Sequence, residues 1–531
     1  MTRGTQKGFR VQTIIRQRIE SRKRRSAQRL DKFNFPDDLS QPMLRGSSAI
    51  RYELAGRAVA TPYGGIGLMQ QLVRELQLAE AIDARLQLFK IHLPYHESDH
   101  VLNLAYNALC DGRCLEDLEL RRQDEAYLNL LGATRIPDPT TAGDFCRRFQ
   151  PGDLQALQAA YDVARRKVWA RQPPEFFAEA RIDADGKTVA TGAECKDGID
   201  IAYNGVWGYH PLVVSLANTK EVLRLQNRPG NRPSHEGAAA LLDECLALCR
   251  GAGFRKIVLR GDTDFSQTAH LDRWHEQGDV TFVFGYDCCA SLHLIADDLP
   301  PSAWKPLHRP PKYTVQTTPR TKPLRVKQRI VEQRGFKDIQ LVDEWVAEFA
   351  YRPTACRHTY RMVVVRKNLA VSEPRQGRLF EDYRYFFSIT NETAPTAAEI
   401  VFTANDRCDQ ENLLAQLNAC RALHAPVNDL LSNGAYMLMT SLAWNLKAWL
   451  ALWLPAPPGR WHERHQAQQQ SLLTCEFRTF VNRLMRVPCQ VLQTGRQLVL
   501  RLLAWNDWQP VFFRLADALT PARRVPRPLR C

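Results

Sequence analysis

The sequence contains no run of 18 uncharged apolar residues and no C-x-x-C pair. The first absence predicts no membrane-spanning helix, which needs about 20 such residues. A secretion signal is not expected either, because the basic amino-terminal segment lacks an apolar core. The second absence argues against zinc fingers and redox dithiols. The 14 cysteines are therefore expected to be reduced, mostly buried thiols of a cytoplasmic protein.

Positive charge is concentrated in three patches. The net charge is +15, whereas residues 1–30 carry +9, residues 301–335 carry +8 and residues 520–531 carry +4, so the remainder is acidic. Such patches match a polyanion such as DNA, whose affinity for proteins comes largely from phosphate contacts. A solvated tail is the alternative for the first patch, but three patches together favour nucleic acid. The candidate DNA contacts in the first patch are Arg22, Lys23, Arg24 and Arg25.

The length of 531 residues predicts two to four domains, and changes in composition suggest their limits. The predicted units are a basic flexible arm (1–45), a helical DNA-binding domain (46–176), the first part of a mixed-sheet core (177–295), a β-rich insertion (296–400), core helices (401–453) and a basic carboxyl-terminal region (454–531). The predicted fold class is therefore multidomain α/β, with a helical amino-terminal domain and a helical carboxyl-terminal part.

Residues 136–149 have a helix–turn–helix pattern. After the turn Ile136-Pro137-Asp138-Pro139, Thr140 or Thr141 is expected to cap a helix that continues through Arg147 and Arg148. These two arginines would then face DNA. A plain helical hairpin has the same pattern, so both interpretations stay open.

The core segment has the pattern β-β-β-α-β-α-β. The predicted strands are 178–186, 209–216, 222–226, 256–260 and 280–285, with helices near 236–249 and 269–276. Three strands before the first helix indicate an antiparallel meander that continues into parallel β-α-β units. Further strands are predicted at 342–351, 360–365 and 385–390, helices at 408–423 and 431–450, and a hairpin near 487–502.

Two aspartates end apolar strands. Strand alternation places Asp183 and Asp185 on one face, and Asp262 lies at the carboxyl end of its strand, where open α/β sheets place their sites. Because buried carboxylates are costly unless paired or bound to metal, Asp185 and Asp262 are predicted metal ligands. Asp183 and Asp264 compete for this role, or orient a ligand or a bound water instead.

Glu411 is the third carboxylate, at the start of a helix directly after the insertion. Three carboxylates supply the hard oxygen ligands that Mg²⁺ prefers, and two such ions stabilise both the attacking and the leaving oxygen of a phosphodiester. The alternative is a favourable acid in a first helical turn. Arg407, one turn earlier, either clamps a phosphate or pairs with Glu411. Lys187 is a weaker phosphate contact, and His210 is interpreted as structural.

Three segments carry a family resemblance: Ile182–Gly186, Leu259–Phe265 and Arg407–Asn412. Together they resemble the DDE transposases of bacterial insertion sequences, over roughly residues 60–510. Asp262 follows Asp185 by 77 residues and Glu411 follows Asp262 by 149, as in that family. The resemblance implies an RNase H-like core interrupted by a β-rich insertion, with Asp185, Asp262 and Glu411 binding two Mg²⁺ ions, for which Mn²⁺ substitutes.

The resemblance also implies an activity and partners. The enzyme would cleave double-stranded DNA at terminal inverted repeats and transfer the freed 3′-hydroxyl into target DNA, as a homodimer in the synaptic complex. It would be a bacterial, nucleoid-associated protein that has no membrane partner. The third motif departs from the family, because Ala404 and Asn418 stand where relatives have Tyr and Lys that hold the cleaved DNA end.

Three other functions remain as alternatives. The segment Asp183–Thr188 is similar to the D-x-D-G-T motif of phosphatases, with Asp183 as nucleophile and Asp185 as general acid. The extra Lys187 and the basic patches argue against it. A domesticated relic that binds DNA without catalysis is the second alternative, and a metal-dependent nuclease without strand transfer is the third. In the insertion, Trp345, Tyr383, Arg384 and Tyr385 either stack on unpaired bases or pack in the core.

Overall fold

The computed structural model describes residues 59–91, 94–309, 326–334, 338–372, 382–494, 497–503 and 506–520, together with Glu20, Ser21 and Arg24. The chain divides into a unit of residues 1–57 and a unit of residues 58–531. In the first, Arg24 is helical and exposed. The predicted DNA contacts Arg22, Lys23 and Arg25 lie outside the described residues.

Residues 66–169 are mainly helical, as predicted. The helices are Ile66–Leu76, Leu78–Asp83, Glu97–Leu109, Leu118–Arg122, Glu125–Leu131, Pro139–Cys146 and Pro151–Trp169. The first of them buries Ile66, Met69, Leu72, Val73 and Leu76, which is the spacing of a single apolar face. These faces pack into one hydrophobic core that continues into the sheet.

The helix Pro139–Cys146 differs from the prediction. Its N-cap is Asp138, whose side chain accepts a hydrogen bond of 2.9 Å from the Thr141 amide, so neither threonine caps it. The helix ends at Cys146, before Arg147 and Arg148, and the next helix begins at Pro151 after an extended Gln150, as expected for a residue that precedes proline. The prediction that one helix continues through both arginines is wrong.

Nine strands form one mixed sheet. Their order across the sheet is Lys305–Pro306, Asp338–Tyr351, Tyr360–Ser372, Asp382–Thr390, Val280–Tyr286, Ile257–Gly261, Ala180–Gly186, Leu212–Leu216 and Glu221–Gln226. We call Ala180–Gly186 the Asp185 strand and Ile257–Gly261 the Asp262 strand. They pair in parallel, while Leu212–Leu216 pairs antiparallel with the Asp185 strand. The predicted mixed α/β class, with a meander that continues into parallel units, is confirmed.

The strands predicted for the insertion extend this same sheet. Asp382–Thr390 pairs antiparallel with Val280–Tyr286, so that Thr390 lies opposite Val283. Tyr385 is buried and its hydroxyl donates a 2.6 Å hydrogen bond to Asp297. Of the two interpretations of this tyrosine, packing in the core is therefore the one that the structure shows.

Helices cover both faces of the sheet and continue beyond it. The remaining helices are Ala238–Ala252, Thr268–His275, Ala290–Asp298, Val326–Arg334, Ala397–Asn405, Cys408–Ala419, Leu430–Trp453, His462–Thr474, Phe477–Phe480 and Gln509–Leu519. The 3-10 helices are Pro174–Phe177, Thr263–Phe265 and Pro301–Ala303, and Val481–Met485 is a π-helix. Two three-stranded sheets are Val59–Thr61 with Cys489–Thr494 and Gln497–Leu502, and Val189–Ala190 with Asp200–Ile201 and Trp207–Tyr209.

The helix Leu430–Trp453, here the central helix, is buried along almost its whole length. Among the described residues, no helix is both long and apolar enough to cross a membrane.

A buried carboxylate, Glu221, joins the central helix to the sheet and to the helix Pro151–Trp169. It accepts hydrogen bonds of 3.0 Å from Arg165, 2.9 Å from Trp169 and 2.7 Å from Trp449.

Candidate active site

Two aspartates lie at neighbouring strand ends. Asp185 is near the end of its strand, and Asp262 directly follows the adjacent parallel strand. Asp185 Oδ1 accepts a 2.8 Å hydrogen bond from the Gly186 amide, and Asp262 Oδ1 accepts one of 3.1 Å from the Asp264 amide. These bonds orient both carboxylates at the same edge of the sheet, as predicted for parallel strands.

Gln410 fixes the start of the helix Cys408–Ala419, which carries Glu411. Its buried amide donates a 3.1 Å hydrogen bond to the Val213 carbonyl and accepts another from Ser215 Oγ. Val213 lies directly opposite Asp185 in the sheet, so the first turn of this helix is held beside the Asp185 strand. Gln410 was not among the predicted site residues, although it continues the stripe of buried leucines at 413, 414 and 417.

The electrostatics of the site favour a cation. The pKa of Asp185 is raised to about 6, mainly by burial and also by the charges of Asp262 and Glu411, against the lowering effect of Arg407. Burial also raises the pKa of Asp262. Asp287, which directly follows the strand Val280–Tyr286, acts on Asp262 in the same direction. The position of Asp287 directly after a strand is the sequence signal that could have identified it as a neighbour of Asp262.

Arg407 is the cation within this group. Its Nη1 lies 3.6 Å from Asp185 Oδ2, and the side chain is 17% exposed. Among the described residues, this nitrogen has no hydrogen-bond partner. Arg407 therefore forms an ion pair with Asp185, and a guanidinium in this position can also bind a phosphate oxygen through its other nitrogens.

Asp183 lies on the same strand but does not share the site. Its carboxylate binds Arg260 through two hydrogen bonds of 2.7 and 2.8 Å, and the two side chains are 1% and 2% exposed. Asp183 and Arg260 face each other across the parallel strands, so the pair holds these strands together. Asp264 and Lys187, in contrast, are exposed at the rim.

Asp185, Asp262 and Glu411 are close enough for their charges to interact, but their carboxylate oxygens do not meet at a single point. In the part of the chain that the structure describes, Asp83, His96 and Glu97 are the one group of three His, Cys, Asp or Glu side chains whose ligand atoms lie within 4.8 Å of one another. Asp185, Asp262 and Glu411 are therefore farther apart. Three carboxylates repel one another, and Glu411 is exposed. Hard oxygen donors whose charges raise the pKa of Asp185 fit a divalent cation.

The cluster at residues 83–97 has a different role. Both oxygens of Asp83 accept hydrogen bonds from Ser98, at 2.8 and 2.9 Å. Glu97 Oε1 accepts bonds from the amides of Leu88 and Phe89, at 2.8 and 3.0 Å. These bonds fix the start of a helix and the loop before it.

Gly186 is packed tightly against a buried histidine. A Cβ atom at this position would lie 2.2 Å from His210 Nε2. We expect Gly186→Ala to lower the free energy of unfolding by about 1–3 kcal/mol, the usual effect of overpacking, and to displace Asp185. Gly192→Ala is the control, since its Cβ would have open space. Urea denaturation measures both variants, and equal stabilities would contradict the prediction.

The comparison with known families agrees with this geometry. Residues 43–524, most of the chain, match the family described as transposase DDE domain group 1. The chain belongs to this DDE transposase family. The resemblance predicted from the three acidic segments is thus confirmed, and the family implies nuclease and transposition activity that uses divalent metal ions.

One of the solved structures that match this transposase aligns with most of its length. It is the cryo-EM structure of the piggyBac transposase synaptic complex with hairpin DNA, with a TM-score of 0.33 and 10% identity over 89% of each chain. No curated protein matches the sequence. The family assignment rests on the match over residues 43–524.

The two arginines predicted to read DNA have separate environments in the transposase. Arg147 pairs with Asp144 at 2.6 Å on the surface. The guanidinium of Arg148 lies over the ring of Phe89, 5.1 Å from its centroid. They therefore do not form a single face of one recognition helix.

Proposed function

We propose that this transposase cuts double-stranded DNA at the ends of an insertion sequence and joins each freed 3′-hydroxyl to target DNA. The observation that carries the proposal is the convergence of Asp185 and Asp262 at adjacent strand ends, with the charge of Glu411 acting on Asp185. Two acids at neighbouring strand ends, a third on the adjoining helix and basic patches in the sequence together support phosphodiester chemistry on DNA.

Asp185, Asp262 and Glu411 are the residues that would hold Mg²⁺, or Mn²⁺ in its place. When bound, two such ions supply stabilisation of the attacking and the leaving oxygen in an in-line displacement. Arg407, which pairs with Asp185, is the proposed phosphate contact, while Gln410 keeps Glu411 beside the Asp185 strand. The reaction needs no covalent bond between protein and DNA.

Double-stranded DNA is the proposed partner, as terminal inverted repeats and as target. The basic patch at 301–335 follows the core strands in sequence, and phosphate contacts supply much of the affinity for DNA. Pairing of two element ends requires two active sites, so we propose a homodimer in the synaptic complex.

The geometry argues against the phosphatase alternative. That reaction needs Asp183 as an accessible nucleophile, yet Asp183 is 1% exposed and both its oxygens bind Arg260. A carboxylate enclosed in this way does not reach a phosphate ester.

The test is an assay with purified protein, a duplex that carries the native terminal repeat, and a supercoiled target plasmid. With Mg²⁺ we expect 3′-hydroxyl ends at the repeat and joined products, and with EDTA neither. Cleavage without joining would indicate a nuclease. Binding of the repeat without cleavage would indicate a relic that only binds DNA.

Divalent metal binding is expected to weaken at acid pH. Because the pKa of Asp185 is about 6, protons compete with the ion below that pH, and the apparent Kd for Mn²⁺ should rise about tenfold per pH unit. The raised pKa also makes the metal-free protein less stable as pH rises through about 6, and a bound cation offsets this loss. Thermal melting with and without Mn²⁺ from pH 5 to 8 measures both effects. Asp185→Asn is the control and should reduce the pH dependence to the part that the raised pKa of Asp262 leaves.

A further inference from the structure

An aromatic cavity lies in the helical amino-terminal part, built from residues that the carboxylate site does not use. Its volume is about 470 Å³, within the range of roughly 300–1,000 Å³ that is typical of ligand pockets. The residues that define it here are Phe89, Lys90, Tyr95, His100, Thr141 and Arg148.

Three rings form a fixed wall of the aromatic cavity. The His100 ring centroid lies 5.4 Å from that of Phe89 and 5.6 Å from that of Tyr95. Behind the wall, His100 stacks on Phe145 with centroids 4.3 Å apart and planes 10° apart. The Tyr95 hydroxyl donates a 2.9 Å hydrogen bond to the Ile136 carbonyl. Such a wall is suited to a flat, unsaturated ligand.

Positive charge surrounds the mouth of the aromatic cavity. The guanidinium of Arg148 lies 5.1 Å from the Phe89 ring centroid, and that of Arg135 lies 5.8 Å from the Tyr95 ring centroid. Lys90 is exposed beside them. The acids that act on His100 are Asp138, which accepts hydrogen bonds from the amide and the hydroxyl of Thr141, and Glu97, so the three cations outnumber the acids. The mouth therefore favours an anion.

His100 gives the wall a polar group. The residue is 2% exposed, and its Nδ1 has no hydrogen-bond partner among the described residues. Burial lowers the pKa of His100 to about 4, so the ring is neutral near pH 7 and offers one donor and one acceptor. A buried nitrogen without a partner is costly, and a ligand with polar edges would relieve that cost.

We propose that the aromatic cavity binds an unstacked nucleotide of the DNA, with its base against Phe89 and Tyr95 and its phosphate beside Arg148. This rests on the proposed DNA partner but not on the proposed cleavage chemistry. A base that leaves the duplex costs a few kcal/mol, and stacking on aromatic rings together with cation–π contact offsets this cost. A free nucleotide has the same chemistry, so the experiment separates the two sources.

The experiment compares two duplexes of the terminal repeat, one fully paired and one with a single extrahelical nucleotide introduced at successive positions. The quantity measured is the ratio of their Kd values, which cancels general phosphate contacts. Phe89→Leu keeps bulk but removes the ring, and Arg148→Ala removes the cation. Arg147→Ala is the matched control, since Arg147 pairs with Asp144 and does not line the cavity. Circular dichroism confirms that each variant folds.

The wild type is expected to prefer the duplex with the extrahelical nucleotide at one or more positions by about tenfold, the effect of stacking a single base. Phe89→Leu and Arg148→Ala should reduce this ratio to near one, whereas Arg147→Ala should keep it. The same ratio in wild type, Phe89→Leu and Arg148→Ala would overturn the proposal. Displacement of the extrahelical duplex by millimolar deoxynucleoside monophosphates, with no preference between duplexes, would assign the cavity to free nucleotides and also overturn it. If the wild type prefers the duplex with the extrahelical nucleotide but does not cleave DNA, the proposed nucleotide site would be supported and the proposed function would be contradicted.

Discussion

Replacement of Asp185 by Asn, of Asp262 by Asn or of Glu411 by Gln is expected to lower cleavage of the terminal repeat about 10³-fold. Each change removes a proposed negatively charged ligand, and several kcal/mol of charge stabilisation in the transition state would depend on the ions that these residues hold. The measurement is the single-turnover rate with Mg²⁺, at protein concentrations that saturate binding of the repeat.

The matched control for Glu411→Gln is Asp409→Asn. Asp409 lies in the same first helical turn, and its carboxylate is 2.6 Å from Lys220 in a surface ion pair. Such pairs contribute about 0–1 kcal/mol, so cleavage by this variant should stay within a fewfold of the wild type. Cleavage that survives in all three site variants would show that other carboxylates hold the metal.

The second large effect concerns stability. Glu221→Ala is expected to lower the free energy of unfolding by about 3–5 kcal/mol, because it removes one of the two carboxylates that pair with the buried Arg165 and leaves two buried indole N–H groups unsatisfied. The side chain of Glu221 is 0% exposed and accepts hydrogen bonds from three helical side chains. Urea denaturation monitored by tryptophan fluorescence measures the loss.

Glu244→Ala provides the comparison for Glu221→Ala. Glu244 accepts a 2.7 Å hydrogen bond from Arg224, but its side chain is 46% exposed. Its removal should therefore cost less than about 1 kcal/mol. If the two variants lost similar stability, the buried carboxylate would not be what joins the central helix to the sheet.

Local sequence patterns predicted the strands at the site well. The strand predicted at 256–260 is Ile257–Gly261, and that predicted at 178–186 is Ala180–Gly186. Alternation also placed Asp183 and Asp185 on one face of their strand. These features depend on residues within a few positions of one another, which is where periodicity is informative.

Pairing between distant residues could not be predicted in the same way. Asp183 and Arg260 are 77 residues apart, and Ser215 and Gln410 are 195 apart. Nothing local to either residue indicates its partner. The prediction of the N-cap failed for another reason. Asp138, Thr140 and Thr141 can each cap a helix, and only the preference of Pro139 for the N1 position selects Asp138. The predicted identity of the metal ligands stays a prediction.

The strand pairing of the insertion has a consequence for how this fold tolerates changes in length. The chain leaves the core after Val280–Tyr286 and returns along Asp382–Thr390, and these two strands are hydrogen-bonded neighbours. The strand by which the chain leaves the core and the strand by which it returns are thus held together by these hydrogen bonds. Residues can be added or lost between them, in the course of evolution or by design, without changing the distance from Asp262 to the helix that carries Glu411.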